Sequence, residues 1–269
     1  MPALAKNPLG KSALAVARLG LGGHTFLKRF GGQDRVGEAE LCAILVACLD
    51  CGLNFLDATY DEERELLGRC LKQLGRREQT LVSCWAPAQK TPDGPATIAE
   101  CERALKQFGL ERLDHFYIEV DVSDEHAQAL ATLKKSGKIR LAGAYVAERA
   151  LKAPAGSIDA AVQVFNFYRP EAASVLRALK ERGIGTIGAE PLGRGRFLQE
   201  YGADAPKAAS ALLRYAIAQP FIDTVLLTMN SMDLVGPNVD AALAPTFNAS
   251  DEALLRRGRG YDVPFDPWK

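Results

Sequence analysis

Three side chains suited to proton transfer fall just beyond strand-like runs. Asp57 follows the apolar run Leu53-Asn54-Phe55-Leu56, and Tyr60 sits in the short polar turn after it. Glu119 closes the run LDHFYIEV, which reads as another strand. A carboxylate or phenol at the carboxyl end of a strand lies where an α/β barrel places its chemistry. Such groups act as acid or base when burial or a neighbouring charge brings their pKa near the working pH. His24 follows Gly22-Gly23 at the end of the first strand-like run and should face the same mouth. A structural hydrogen bond and a functional role both fit it.

The elements that must position these residues alternate along the chain. Short apolar runs with β-branched or aromatic residues predict strands near 16–21, 53–57, 80–84, 114–119, 139–144, 160–164, 184–188 and 223–227. Periodic apolar faces predict helices near 38–51, 62–74, 97–108, 124–136, 147–152, 170–182, 207–218 and 231–243. Asp61, Glu62 and Glu63 suit the positive end of a helix dipole. Gly52, Gly109, Gly137 and Gly183 fall where helices should stop. Repeated strand–helix units with parallel crossovers predict one (β/α)8 TIM barrel over residues 1–269, with a short N-terminal hairpin and an irregular tail from 258. A doubly wound sheet fits less well, because no GxGxxG opens the first helix. Residues 89–95, QKTPDGP, read as a loop.

Composition narrows the partners. Lys plus Arg and Asp plus Glu are 33 each, so a broad nucleic-acid or anionic-membrane surface is not favoured. No apolar run approaches the roughly 20 residues of a membrane span, and the N-terminus has no secretory pattern, so a cytoplasmic protein is expected. Cys48-Leu-Asp-Cys51 spells CxxC within a helical pattern and has no second pair, so the six cysteines read as core filler. His24, Asp57 and Glu119 have no metal-ligand spacing, and no metal is expected. His115 reads as a core or barrel-wall residue, and His126 as a surface one.

Taken in order, several segments resemble the aldo-keto reductase family. They are the N-terminal Leu-Gly repeat, the stretch from Asp57 through Tyr60 to Leu67-Gly68, LKKSGKIRLAG, VQVFNFYRPE, ERGIGTIGAEPLGRGRF and DTVLLTMNSMDLVGPNVDAA. The resemblance runs from about Leu9 to Ala242. It implies hydride transfer from a nicotinamide cofactor to a carbonyl, with a Tyr supplying the proton, a Lys lowering its pKa, an Asp holding the Lys and a His orienting substrate. Asp57 and Tyr60 match the Asp and Tyr, across a turn shorter than is usual. Trp85 stands where the Lys is expected and should point into the mouth. Glu119 stands at the His position, as it does in the steroid double-bond reductases of the family.

For the cofactor, the resemblance implies contacts from Gly22, Gln163, the loop Leu192-Gly193-Arg194-Gly195, Thr228 at a usual glycine, and Asn238 near adenine. The usual Ser-Asn pair appears as Tyr145-Val146, and the ring that stacks under nicotinamide as Ala189. Asn230 and Leu234 replace the basic groups that grip a 2′-phosphate, so NAD is favoured over NADP, and binding of neither is an open alternative.

The expected activity is an oxidoreductase on a small carbonyl or activated alkene. The alternatives are a lyase, dehydratase or isomerase, or a non-catalytic binding protein on the same fold. Glu119 is expected either to act as acid or base beside Asp57, or to pair with Arg140 or Arg194. Oligomeric state is not encoded legibly.

Overall fold

A computed structural model describes residues 3–22 and 37–258. Strands β1 (Lys6–Pro8) and β2 (Ala15–Ala17) form an antiparallel hairpin, with Asn7 opposite Val16. Then β3 (Leu19–Leu21) leads to α1 (Glu38–Asp50), β4 (Phe55–Ala58), α2 (Asp61–Leu74), β5 (Leu81–Ala86) and α3 (Gly94–Phe108). The middle of the chain forms β6 (Leu113–Ile118), α4 (Asp124–Lys135), β7 (Ile139–Tyr145), α5 (Ala147–Lys152), β8 (Ala160–Val164) and α6 (Ala173–Glu181). Last come β9 (Gly185–Ala189), α7 (Ala205–Ile217), β10 (Thr224–Leu227), α8 (Met232–Leu243) and α9 (Ala249–Leu255). Strands β3 to β10 close a parallel barrel, β10 pairing with β3. This is the expected (β/α)8 architecture.

Strand alternation sorts side chains to two sides of the wall. Phe55, Leu81, Tyr117, Leu141, Val162, Ile187 and Leu226 fill the interior. The intervening residues, such as Leu56, Val82, Phe116 and Ala142, join the layer under the helices. Leu9, Leu14 and Val16 of the hairpin enter the interior cluster. The hairpin is tied to the strand-start end of the barrel: Gly10 N donates to Asp223 Oδ2 at 3.0 Å, and Lys11 N to Gly183 O at 2.9 Å. That end is plugged, so chemistry belongs at the opposite mouth.

The same end carries a repeated device. Asn54, Asp114, Asp159 and Asp223 sit at the starts of alternate strands. Asp114, Asp159 and Asp223 accept from a backbone N–H of the preceding strand, Val82, Ala142 and Thr186 respectively, and Asn54 accepts from Ala17 N at the end of β2, all at 2.8–3.0 Å. Arg77 and Arg140 neutralise Asp114, Lys134 neutralises Asp159, and Lys180 neutralises Asp223. A buried carboxylate accepting backbone and charged donors offsets its desolvation.

Several boundaries differ from expectation. The run 16–21 is two strands. It breaks at Arg18, whose guanidinium leaves the sheet to donate to the carbonyls of Ile217 and Gln219. Helix α3 starts inside the expected loop, because Asp93 caps it by accepting from Ala96 N at 2.8 Å and Pro95 suits its first turn. Helix α9 was not anticipated; Asn248 caps it through Ser250 N and Asp251 N. His126 is buried rather than at the surface. It bonds Ser123 at the start of α4 and the carbonyl of Thr91 at 3.1 Å, fastening α4 to the loop after β5. Cys48 and Cys51 are fully buried in the core.

Helices α2 and α3 touch at Gly68. A Cβ there would lie 2.1 Å from the Phe108 carbonyl oxygen, a backbone atom that cannot turn aside. Gly68→Ala should therefore cost about 3 kcal/mol, at the upper end for overpacking, read as a fall in the urea midpoint. An unchanged midpoint would show that the helices separate freely.

Candidate active site

The mouth is assembled from the carboxyl ends of β4 to β10. The turn after β4 is held by Glu63, whose Oε2 accepts from Thr59 N at 2.8 Å and Tyr60 N at 3.0 Å. That reach back from the first turn of α2 fixes Tyr60 as the residue entering the helix. Trp85 lies on the inward face of β5 at the top of the interior cluster, with the Tyr60 ring edge-on to it at 6.3 Å between centroids. Trp85 is half-buried against the interior cluster, and Cys84 faces the helices.

Asp57 is 6% exposed, and Tyr117 Oη donates to its Oδ2 at 3.1 Å. Burial and the Asp57 charge together push the Tyr117 phenol well above its ordinary pKa, so it remains a donor. Tyr117 is the residue that reading the sequence missed. It lies two residues from Glu119 and two from His115, and strand periodicity alone puts all three on one face. His115 stacks on Tyr117 at 5.1 Å and bonds Ser83 Oγ through Nδ1 at 3.0 Å. Burial lowers its pKa to about 3, so it is a neutral wall residue, as expected.

A cation does lie behind β5, on the wrong side to replace a mouth lysine. Arg64 is fully buried; it donates to Glu100 Oε1 at 2.9 Å, Gln107 Oε1 at 3.0 Å and the Trp85 carbonyl at 2.6 Å. Its charge is spent on Glu100 and its hydrogen bonds on holding α2 to α3 and β5.

Glu119 is 5% exposed, and its Oε2 has no hydrogen-bond partner. Neither expected cation holds it: Arg140 bonds Asp114 and Arg194 bonds Glu190. Arg149 donates to the Glu119 backbone carbonyl at 2.6 Å and pairs with Asp121 at 3.3 Å. Burial raises the Glu119 pKa, opposed by the Ala88 N–H and by Arg149. The cause is desolvation rather than the anticipated repulsion from Asp57.

On the other side of the mouth, Gly22 N donates to the Leu227 carbonyl at 2.8 Å. Gln163 turns away from the interior: its Oε1 accepts from Ala147 N at 2.8 Å, and its Nε2 donates to the Val164 carbonyl at 3.2 Å. These bonds hold Val146 at φ 76, a left-handed backbone that a β-branched residue adopts only under constraint. In the loop after β9, Glu190, Gly193, Arg194 and Gly195 all have positive φ. Arg194 Nε donates to Glu190 Oε1 at 2.8 Å. Leu192 is half-buried against the core, and Thr228 is half-buried just past β10. Asn238 is buried on α8, whose first turn exposes Met232 and Leu234 at 44% and 40%. His24 lies outside the described residues. Among those described, no group of three or more His, Cys, Asp or Glu is arranged to hold a metal, and no helix is long and apolar enough to cross a membrane.

The Aldo/keto reductase family model matches residues 18–211. The chain belongs to the aldo/keto reductase family. L-galactose dehydrogenase of Arabidopsis thaliana is 28% identical over 286 residues, spanning 87% of this chain and 86% of that protein. The aldo-keto reductase str7 of Strobilurus tenacellus is 28% identical over 219 residues, 72% of this chain and 61% of its own length. An aldo-keto reductase from Bacillus halodurans, solved in its holo form, superposes with a TM-score of 0.75 at 20% identity, over 94% of this chain and 96% of that one. A Pseudomonas aeruginosa structure assigned to the aldo-keto reductases gives 0.75 at 22% identity, over 91% and 97%. At such identities the two structures speak for the fold alone. Members of the family are oxidoreductases that generally use NAD(P)H.

Two substitutions test this aldo/keto reductase mouth. Tyr117→Phe removes a hydrogen bond to a buried carboxylate and should cost about 2 kcal/mol in urea unfolding. Glu119→Gln should change stability in a pH-dependent way. A carboxyl whose folded pKa is raised contributes most below its unfolded pKa, and that contribution is lost as pH rises through the folded value. The variant should therefore gain melting temperature relative to wild type as pH rises from acid toward neutral. A difference that stays constant with pH would show that Glu119 is not desolvated.

Proposed function

We propose that this aldo/keto reductase family member is a cytoplasmic oxidoreductase acting on a small carbonyl or activated alkene, with Glu119 as its proton donor. The observation that carries this reading is the buried Glu119 carboxyl at the barrel mouth, with Oε2 unpartnered and its pKa raised by burial. A neutral carboxyl in that place can donate to a carbonyl oxygen as negative charge develops there. Asp57 and Tyr117 act together: the phenol donates to Asp57 and holds its carboxylate at the mouth. Tyr60 and Trp85 form the wall against which a flat substrate is placed and from which water is excluded.

The residues present fit a nicotinamide dinucleotide better at its adenosine and diphosphate end than at its ring end. The Ser231 side chain does not cap α8, which leaves the first turn open to an anion. Arg194 lies in the loop after β9, and Met232 and Leu234 offer exposed apolar faces. These residues, with Asn238, Thr228 and Gly22, would hold the dinucleotide. When bound, it supplies the hydride. With Asn230 and Leu234 in place of basic groups, NAD is the better fit. At the ring end, Gln163 is engaged with Ala147 and Val164, Ala189 offers no ring, and Tyr145 takes a serine's place. That rearrangement favours a second reading, in which the mouth performs non-redox acid–base chemistry with Glu119, Asp57 and Tyr60.

Calorimetric titration with NADH and NADPH separates these. NADH should bind at least about tenfold more tightly, about 1.4 kcal/mol. Tighter NADPH overturns the preference, and binding of neither favours the second reading. With turnover in hand, activity should fall as pH rises through the raised Glu119 pKa. Glu119→Gln should abolish that limb and lower kcat by about a hundredfold or more. A variant with the wild-type profile and rate would make Glu119 structural.

A further inference from the structure

The CxxC spelling at Cys48 and Cys51 suggests a thiol pair in the sequence, but the structure pairs two other cysteines. Cys42 on α1 and Cys70 on α2 meet where these helices pack together. Cys42 Sγ donates to Cys70 Sγ at 2.6 Å. Non-bonded heavy atoms usually rest about 3.5–4.0 Å apart, so these sulfurs are closer than ordinary contact. They stand within about 0.6 Å of the disulfide bond length of about 2.05 Å. Joining them requires little movement of either helix.

The pair lies at the edge of the helix seam, within reach of a small solute. Ala43, next to Cys42, is exposed, and so is Gln73, whose Oε1 is 3.6 Å from Cys42 Sγ. On the other side, Cys70 Sγ donates to the Glu38 carbonyl at 3.6 Å, and the Glu38 carboxylate pairs with exposed Arg69 at 2.9 Å. Cys42 is 7% exposed and Cys70 0%, so a solute passing Gln73 meets the Cys42 sulfur first. Burial, together with the hydrogen bond from Cys42, pushes the Cys70 thiol up, which makes it a poor first nucleophile. Cys48 and Cys51, at the C-terminal end of α1, are fully buried, and burial pushes the Cys48 thiol up to about 12.

We infer that Cys42 and Cys70 are a modification site, which a hydroperoxide converts reversibly to a disulfide joining α1 to α2. The Cys42 sulfur attacks a peroxide oxygen and the O–O bond breaks, leaving Cys42 as a sulfenic acid and releasing water. The Cys70 sulfur then attacks the Cys42 sulfur. The S–O bond breaks, and the hydroxyl leaves with the Cys70 proton as a second water. The two thiols together lose two electrons to the peroxide, and a dithiol reductant reverses the change. The bond closes a loop that contains β4 with Asp57 and the turn with Tyr60. In a reducing compartment such a disulfide is transient, the form in which intracellular pairs sense oxidant. The inference is independent of the chemistry at the mouth.

Thiol counting on the reduced full chain tests it. The folded protein is treated with a small excess of hydrogen peroxide, then unfolded in a thiol-blocking reagent and measured by mass spectrometry. All six cysteines should be blocked before treatment, and four after it, since two leave the count as one disulfide. Dithiothreitol should restore six. Tandem mass spectrometry should find Cys42 joined to Cys70. Cys70→Ser should leave Cys42 as a sulfenic acid that dimedone traps, and Cys42→Ser should leave its five remaining thiols blockable. The wild-type count stands even if a variant fails to fold. Six blocked thiols after treatment, a disulfide joining any other pair, or oxidation that dithiothreitol fails to reverse overturns the inference.

Discussion

The interior of a closed barrel has room for only so many side chains, and at the level of the mouth that room is made by one missing Cβ. Gly143 on β7 faces the ring of His115 and the Cβ of Tyr117. A Cβ at Gly143 would lie 2.1 Å from His115 Nε2 and 2.6 Å from Tyr117 Cβ. Because it is absent, His115 and Tyr117 stack flat in the barrel, and Tyr117 Oη reaches Asp57 across two strands. Tyr117 thus holds the carboxylate of Asp57 from the neighbouring wall. The site follows from a packing constraint in the layer below it.

Trp85 puts an uncharged ring on the inward face of β5. A compensating guanidinium exists in Arg64, but the β5 backbone stands between it and the mouth, and Glu100 neutralises it. The remaining carboxylates are governed by burial. Desolvation raises Glu119 toward the neutral form, whereas Glu190 stays beside Arg194.

The plugged end of the barrel shows the contrasting use of buried acids. Asp114, Asp159 and Asp223 each accept a backbone N–H and pair with a lysine or arginine, so they join strands and carry no spare acceptor toward a ligand. Glu119 and Glu190 at the mouth each keep an unpartnered buried oxygen.

The sequence by itself determined the architecture. Eight short apolar runs alternating with periodic helices call for a parallel sheet with both faces covered, and closing it into a barrel satisfies that for every strand. It also placed Asp57, Trp85 and Glu119 at strand ends and His115 in the wall. The polar residues Asn54, Asp114, Asp159 and Asp223 at the heads of alternate strands find their partners only in the tertiary structure, where each accepts a backbone N–H from an earlier strand. Tertiary structure alone decided which groups engage one another. Gln163 keeps the family residue type but turns its amide to Ala147, because Tyr145-Val146 leaves that helix start in need of an acceptor. Arg194 meets Glu190 and Glu119 meets neither expected cation, because left-handed turns after β9 fold the loop back on itself. Residue type and strand period are local properties; the partner of a charged group depends on contacts between segments far apart in the chain.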